Sequence, residues 1–316
     1  MTAHELETRI GDIRMKNPVM TASGTSGHSD ELSCIGGLNM QSLGAFVTKG
    51  ITLHKREGNP QLRLVETRAG ILNSIGLQNR GADYFLENEL PPLKKYKLPI
   101  IVNISADSIV QFTDLCTRLK ESKNYDLFQG IEINLSCPNV AAGGLSFGTD
   151  PHTVRQVVSI VRQSLDDKTI ITKLTPNVTD IKAIAQGAIE GGTDALCMIN
   201  TLRGMAIDIE QQKPSLGNKI GGLSGPGIKP VGVFMVYECF RNIPECRNKK
   251  IPIVGVGGIL DYKDAIEYIL AGASAIEIGT GFYLNPFVYK EVREGIRHYL
   301  HKHSTCLADI IGAAVD

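Results

Sequence analysis

The sequence has no excess of charge of either sign and no long apolar run. Lys and Arg together number 33, Asp and Glu together number 33, and the formal net charge is zero. Because binding to a nucleic-acid backbone generally requires a basic surface, we do not expect a nucleic-acid partner. The opening residues mix acids and bases, and no later stretch of about 18 residues is continuously apolar. The sequence therefore predicts a cytoplasmic protein without a membrane segment.

Clustered cysteines are also missing. The seven cysteines form no CxxC pair and no short metal-ligand spacing, which argues against disulfides, a metal site or an iron-sulfur cluster within this chain. A GxGxxG turn after a strand is absent as well, because Leu260 and Leu284 stand where the third glycine belongs in "GVGGIL" and "GTGFYL". We therefore predict no dinucleotide site of that type.

Short apolar, β-branched runs recur along the chain and alternate with amphipathic segments such as "TVRQVVSIVRQSL". This alternation is typical of parallel strands covered by helices. Eight such units in 316 residues favour a (β/α)8 TIM barrel over an open doubly wound sheet, and we predict a single domain over residues 1–316. The predicted strands lie within residues 17–23, 45–50, 99–105, 130–136, 170–176, 195–201, 252–258 and 275–281.

Two intervals, residues 51–98 and 202–250, are too long for one unit each. Both are polar and rich in turn residues, which predicts insertions over the C-terminal face of the barrel. The opening "LETRIGDIRM" alternates apolar and polar residues around Gly11 and Asp12, and we expect a hairpin that caps the bottom of the barrel.

The residues that end the predicted strands are unusually polar for a barrel interior. Because catalysis in such barrels occurs at the C-terminal strand ends, these side chains are candidate ligands. Each buried polar group left unpaired would cost about 1–3 kcal/mol, so we expect them to meet a polar ligand. They are Ser23, Lys49, Asn103, Asn134, Cys137, Lys173, Asn200, Thr201, Gly257, Gly258, Gly279 and Thr280.

Glycine corners follow the seventh and eighth strands, in "GVGGI" and "IGTGF". Barrels often hold a phosphate at this position, and glycine lets the backbone approach a ligand closely. Either corner alone is equally compatible with a tight turn, but their joint placement favours a phosphate site.

Lys173 ends the fifth predicted strand between apolar residues. A buried lysine needs an anionic partner, which is either a ligand or a structural carboxylate. Glu132 and Glu277 lie earlier in their strands than the expected ligand layer, so we favour the ligand. Lys49 allows the same two interpretations.

Several amides and one thiol share the predicted ligand face. Asn73 adds an amide from the first insertion, and converging amides suit a ligand with alternating N–H and C=O groups, such as a pyrimidine. None of the seven histidines falls at a strand end. Cys137 is therefore the candidate base, on a loop whose Gly143 and Gly144 would let it close as a lid.

Motifs over nearly the whole chain resemble one family. They include "TKGITL", "GNPQLRLVET", "LNSIGLQN", "INLSCPNV", "GGLSFGTDP", "TPNVTDI", "MINTLRGMAIDI" and "GGLSGPGIKPV". In this order they resemble the flavin-binding subunit of class 1B, NAD-linked dihydroorotate dehydrogenases. The resemblance implies an FMN-containing barrel that oxidises dihydroorotate to orotate in pyrimidine biosynthesis.

The resemblance also implies residue roles. Cys137 would remove the C5 proton while FMN N5 accepts the C6 hydride, and Lys173 would face the pyrimidine edge of the flavin. Orotate would contact Lys49, Asn73, Ser74, Ile75, Gly76, Leu77, Asn134, Asn139, Asn200 and Thr201. FMN would contact Ser23, Lys49, Gly50, Asn103, Asn134, Lys173, Ile199, Gly225, Gly257, Gly258, Gly279 and Thr280.

A partner follows from the same resemblance. The NAD site, an FAD and an iron-sulfur cluster would reside on a second subunit, in a heterotetramer around a dimer of this chain. Three alternatives stay open: a fumarate-linked class 1A enzyme, a dihydropyrimidine dehydrogenase-like reductase, and a non-catalytic scaffold. Departures from the family pattern are Ile75 and the basic segment 242–250.

Overall fold

The computed structural model describes residues 5–29, 31–136, 138–139 and 145–316, with the backbone alone at 138, 139, 145 and 146. Eight strands form one sheet, and each lies within a run predicted from the sequence or extends it by one or two residues. They are β1 (Val19–Thr21), β2 (Phe46–Val47), β3 (Ile100–Ile104), β4 (Gly130–Asn134), β5 (Thr169–Leu174), β6 (Ala195–Met198), β7 (Ile253–Val256) and β8 (Ala273–Ile278).

The sheet closes into a barrel. Its paired strands are all parallel, in the order β1-β8-β7-β6-β5-β4-β3-β2. A parallel bridge between Met20 and Ala45 joins the two ends, and the Gly44 amide donates to the Val19 carbonyl at 2.8 Å. The predicted (β/α)8 fold is confirmed.

Amphipathic helices cover the outside of the barrel after β3 to β8. In the helix that follows β4, Val154, Val157, Val158 and Val161 are buried, and this three- and four-residue spacing defines one apolar face. The helices are α1 (Ile109–Lys120), α2 (Pro151–Ser164), α3 (Ile181–Glu190), α4 (Lys229–Asn242), α5 (Tyr262–Leu270) and α6 (Val288–Lys302).

The first unit differs from the prediction that a helix follows each strand. Between β1 and β2 the structure has 3₁₀ turns at Glu31–Cys34 and Met40–Ser42. This segment contains "SGTSGH" and "IGGLN", and glycine and serine disfavour a helix interior. A regular helix there was therefore a wrong expectation.

The predicted hairpin closes the bottom of the barrel. Its strands, Thr8–Ile10 and Ile13–Met15, pair antiparallel around Gly11. The Asp12 amide donates to Thr169 Oγ1 at the start of β5, at 3.1 Å. Buried Ile10, Ile13 and Met15 join the apolar side chains inside the barrel, so this end is sealed by a continuous apolar core.

The two predicted insertions meet each other above the opposite end. In the first insertion, strand Leu64–Thr67 pairs with Gly70–Asn73, and in the second, Leu202–Gly204 pairs with Gly221–Ser224. Gly70–Asn73 also pairs with Gly221–Ser224, which completes a four-stranded antiparallel sheet. Leu72 lies opposite Leu223, and Asn73 lies opposite Gly222. The insertions thus form one wall over the C-terminal strand ends.

Shorter elements complete the described chain. Two-residue strands pair at Ile207–Asp208 with Lys213–Pro214 and at Pro138–Asn139 with Leu145–Ser146. Short helical segments lie at Ala82–Tyr84, Phe85–Glu89, Pro91–Tyr96, Tyr125–Leu127, Phe147–Thr149, Pro226–Ile228, Pro244–Arg247, Thr280–Leu284 and Leu307–Ile310. Among the described residues, no helix has the length and apolar character needed to span a bilayer.

Candidate active site

A continuous cleft lies between the C-terminal strand ends and the insertion sheet, and it has two parts. We call them the glycine half, around Gly225, Gly257, Gly258, Gly279 and Thr280, and the amide half, around Lys49, Gly50, Asn103, Asn134 and residues 74–77. Both halves share Ser23, Gly24, Asn73, Ile75, Lys173, Asn200 and Thr201, so they are connected. Ile199 lines the glycine half.

The structure therefore brings together the residues predicted from strand ends and resemblance, with two exceptions. Cys137 lies outside the described residues, and so does the side chain of Asn139. Ser136, the residue before Cys137, lines the amide half. The roles of all these residues as ligands stay predictions.

The glycine half is shaped by backbone rather than by side chains. Gly258 has φ 70°, and a Cβ there would lie 2.8 Å from the Gly225 carbonyl oxygen. Next to these corners, Thr280 Oγ1 donates to Ser224 Oγ at 2.8 Å. Only glycine combines this conformation with such close packing, so the corner can present backbone groups to a ligand.

The amide half contains a hydrogen-bonded set of side chains from β4 and from the residues after β6. Asn200 Nδ2 donates to Asn134 Oδ1 at 3.1 Å and to Ser136 Oγ at 2.7 Å. The Ser136 amide also donates to Asn134 Oδ1, at 3.1 Å. Since its oxygen already accepts two bonds within the chain, Asn134 offers its NH₂ group to a ligand.

Asn103 leaves one polar atom without a partner among the described residues. Its Nδ2 donates to Glu132 Oε1 at 2.6 Å, and its side chain is buried at 1% exposure. Its Oδ1 is buried, and no described residue donates to it. A buried acceptor without a partner is costly, so this atom indicates a ligand that donates a hydrogen bond in the amide half.

Lys173 corrects the sequence-based expectation about its partners. Its Nζ lies 2.7 Å from Glu277 Oε2 and 3.3 Å from Glu132 Oε1, so both glutamates reach it. The acids do lie earlier in their strands, but the inference that Lys173 would not be paired with them was wrong, because long side chains can meet inside the barrel. Lys173 nevertheless lines both halves of the cleft, so structural carboxylates and a ligand can share it.

The two lysines of the cleft have opposite electrostatic environments. Burial by itself would lower the pKa of Lys173, but the Glu132 and Glu277 carboxylates raise that pKa well above its usual value. For Lys49, burial dominates and lowers the pKa, while Glu31 and Glu89 oppose that effect through their charge. Lys173 is therefore a fixed cation, whereas Lys49 is less firmly held in its charged form.

Several cleft residues were missed from the sequence. Arg56 and Asp107 line the amide half and form a two-point ion pair, with Nη1 to Oδ1 at 3.0 Å and Nη2 to Oδ2 at 2.7 Å. Ser136 also lines the amide half, and Ser224 also lines the glycine half. Only the contact between the first insertion and the segment after β3 brings Arg56 to Asp107, and no local pattern indicates it.

A family model described as Dihydroorotate dehydrogenase matches residues 5–300. The chain belongs to the dihydroorotate dehydrogenase family. This match confirms the resemblance to the family and agrees with the predicted barrel fold.

Curated relatives align over almost their whole length. Proteins described as "Dihydroorotate dehydrogenase B (NAD(+)), catalytic subunit" from Desulforamulus reducens and Bacteroides thetaiotaomicron are 47% and 44% identical to this chain, each over 98% of both sequences. One with the same description from Caldicellulosiruptor bescii is 49% identical over 94% of both. The match therefore covers the barrel and both insertions.

Proposed function

We propose that this chain oxidises dihydroorotate to orotate, with FMN as its cofactor, as the catalytic subunit of an NAD-linked enzyme of pyrimidine biosynthesis. Membership of the dihydroorotate dehydrogenase family supports the reaction, and the relatives' description supports the NAD-linked class. The observation that carries the proposal is the cleft, because it gathers the predicted residues from all eight strand ends and from both insertions.

Two features of the cleft fit a flavin mononucleotide. The unpartnered Asn103 Oδ1 suits a donor such as a ring N–H. The corner at Gly257 and Gly258 leaves space that a Cβ would close, as a phosphate site requires. The cofactor's candidate ligands are Ser23, Lys49, Gly50, Asn103, Asn134, Lys173, Ile199, Gly225, Gly257, Gly258, Gly279 and Thr280.

When bound, FMN supplies the hydride acceptor for the oxidation. The chain's own contribution next to it is the Lys173 ammonium, which is held by two carboxylates and lines the cleft. A cation fixed in advance favours negative charge that develops beside it, and little reorganisation is needed during the reaction.

The substrate would occupy the amide half. Asn73, Asn134 and Asn200 converge there, and a dihydropyrimidine ring presents alternating N–H and C=O groups to such amides. Lys49, Ser74, Ile75, Gly76, Leu77, Asn139 and Thr201 are further candidates for substrate contact. Asn59 Nδ2 donates to Ser74 Oγ at 2.7 Å, which holds the 73–77 segment in place.

Cys137 is the proposed base that takes the C5 proton of the substrate. It follows Ser136, which lines the cleft and accepts a hydrogen bond from Asn200. A thiolate needs a cationic environment to offset desolvation, and Lys49 and Lys173 line this half. The lid predicted at Gly143 and Gly144 lies outside the described residues.

The route to NAD requires a second polypeptide in this proposal. The relatives are named as catalytic subunits, and this sequence has no GxGxxG turn after a strand. We propose that an FAD and an iron-sulfur cluster on the partner carry electrons from the barrel to NAD. The assembly would be a heterotetramer around a homodimer of this chain.

An anaerobic visible spectrum of the purified full chain tests the proposal. We expect FMN in the preparation, loss of its absorption on adding dihydroorotate, and electron transfer to artificial dyes but not to NAD until the partner is co-expressed. A chain that carries no flavin, or a flavin that dihydroorotate does not reduce, would refute the function. Rapid turnover with fumarate would favour class 1A instead.

A further inference from the structure

Two buried carboxyl groups share one lysine inside the barrel, directly beneath the cleft. Glu132 on β4 and Glu277 on β8 stand four strands apart in the closed sheet, and both are 0% exposed. The Lys173 ammonium lies between them, 3.3 Å from Glu132 Oε1 and 2.7 Å from Glu277 Oε2. One cation therefore faces two fully buried acids.

Charge balance in this layer requires a further proton. If both glutamates were ionised, the group would carry an uncompensated negative charge, which is strongly unfavourable in a protein interior. The other groups that face it do not supply a cation. Asn103 on β3 is neutral, and burial raises the pKa of the Cys197 thiol on β6 well above its usual value.

Two carboxyl oxygens of the pair also lack a described partner. They are Glu132 Oε2 and Glu277 Oε1, both buried. The two carboxyl groups lie close enough for a side-chain hydrogen bond between them, so a proton on either one would correct the charge and serve as the donor of that bond.

We propose that Glu132 and Glu277 hold one shared proton at neutral pH, and that they act as positioning residues that set the charge Lys173 presents to the cleft. The effect on the cofactor rests on the proposed function, whereas the shared proton does not.

The pKa values of the two glutamates move in opposite directions. Burial and the Glu132 carboxylate raise the pKa of Glu277 to about 8. Burial opposes ionisation of Glu132 as well, but the Lys173 ammonium and the hydrogen bonds from Glu277 and Asn103 hold its pKa below the usual value. This separation is typical of two acids that titrate as a pair.

The charge of the group would then depend on pH. With one proton, the two glutamates and Lys173 carry a net charge of zero. Once the pair loses that proton, the net charge becomes minus one. The side chain of Lys173 lines both halves of the cleft, so an anionic ligand there would experience less positive charge at high pH.

Infrared spectroscopy of the full chain, labelled with ¹³C at glutamate carboxyls, tests the shared proton directly. At pH 7 the wild type should show a neutral carboxyl band. Both Glu132→Gln and Glu277→Gln should lose it, because the remaining glutamate then pairs one to one with Lys173 and ionises. Glu238→Gln, which removes a partner of Lys182 at the surface, should keep it. No band in the wild type, or a band that survives in Glu132→Gln, would overturn the proposal.

The pH dependence of unfolding gives a second test without cofactor. The folded chain keeps a proton that the unfolded chain loses above the ordinary glutamate pKa of 4.5. Stability attributable to Glu277 is therefore present below 4.5 and declines as pH rises to about 8. Glu277→Gln lacks this proton. The unfolding free energy of the variant should therefore rise relative to that of the wild type as the pH increases from 4.5 to about 8. Parallel curves would contradict the shared proton.

The flavin midpoint potential tests the positioning role. Glutamine imitates the protonated glutamate, so Glu277→Gln and wild type should agree at neutral pH. Above about pH 8 the wild-type potential should fall below that of the variant. Parallel potentials would refute the positioning role even with the infrared result intact. A chain that binds no flavin would refute the proposed function, and infrared and unfolding would still decide the shared proton.

Discussion

The two halves of the cleft offer ligands different kinds of contact. The glycine half presents close backbone at Gly225, Gly257 and Gly258, whereas the amide half presents side-chain amides whose orientations are fixed by hydrogen bonds. Backbone corners select by shape and suit a group that stays bound. Oriented amides select by donor and acceptor pattern, which suits a ligand that must be recognised at each turnover.

This difference predicts separable effects of mutation. Changes at the amide-half residues that are proposed to contact the substrate alone, such as residues 74–77, should impair reaction with dihydroorotate and leave the cofactor in place. Changes at the glycine corners should release the cofactor. Lys173 lines both halves, so its replacement should affect both functions.

The largest effect should follow Cys137→Ser, at the proposed base. A serine hydroxyl is a far weaker base than a thiolate, so flavin reduction by dihydroorotate should slow by about 10²–10⁴-fold at neutral pH. FMN content and orotate binding should persist. Cys34→Ser, at an exposed cysteine, is the control, and stopped-flow absorbance measures both. Reduction at the wild-type rate would remove Cys137 from its role.

Lys173→Met tests the residue that both halves share. It leaves two buried glutamates without their cation, so unfolding should become easier by about 3–5 kcal/mol. Any flavin retained should have a lower reduction potential, because negative charge on the reduced form loses its neighbouring cation. Lys182→Met, which breaks ion pairs at the surface, should cost far less, because water screens exposed pairs. Equal losses of stability in the two variants would argue against a buried charge cluster.

The layout of the barrel could be predicted from the sequence because it depends on local pattern. Apolar runs with β-branched residues predicted all eight strands, and the polar residues that end them converge because parallel strands end at the same face of the barrel. The bottom hairpin was predicted for the same reason, since alternation around Gly11 is a local signal.

What the sequence did not predict depends on contacts between distant segments. Glu132 and Glu277 reach Lys173 because their side chains cross the barrel interior, and a position within a strand does not reveal that reach. Arg56 meets Asp107 only once the first insertion has folded onto the barrel. The absence of a regular helix between β1 and β2 was also unexpected, because the prediction assumed a helix after every strand and gave no weight to the glycines of this segment.

Gly258→Ala should release the cofactor from the glycine half. The residue has φ 70°, and the new Cβ would lie 2.8 Å from the Gly225 carbonyl oxygen. We expect a stability loss of about 1–3 kcal/mol and loss of FMN during gel filtration. Gly36→Ala is the matched control, because a Cβ there meets no atom within 4 Å. Full FMN retention in Gly258→Ala would show that the corner does not hold the cofactor.

The smallest effect should follow Arg56→Ala, at the edge of the amide half. Arg56 and Asp107 form a two-point ion pair, but their side chains are 33% and 25% exposed, so water screens the attraction. The loss of stability should stay within about 1 kcal/mol. Because the pair lines the amide half, the KM for dihydroorotate should rise by up to about fivefold with FMN content unchanged. Arg155→Ala, which breaks an exposed pair with Glu190, should match the stability change without altering KM. A KM effect as large in Arg155→Ala would show that Arg56 acts on overall stability rather than on the amide half.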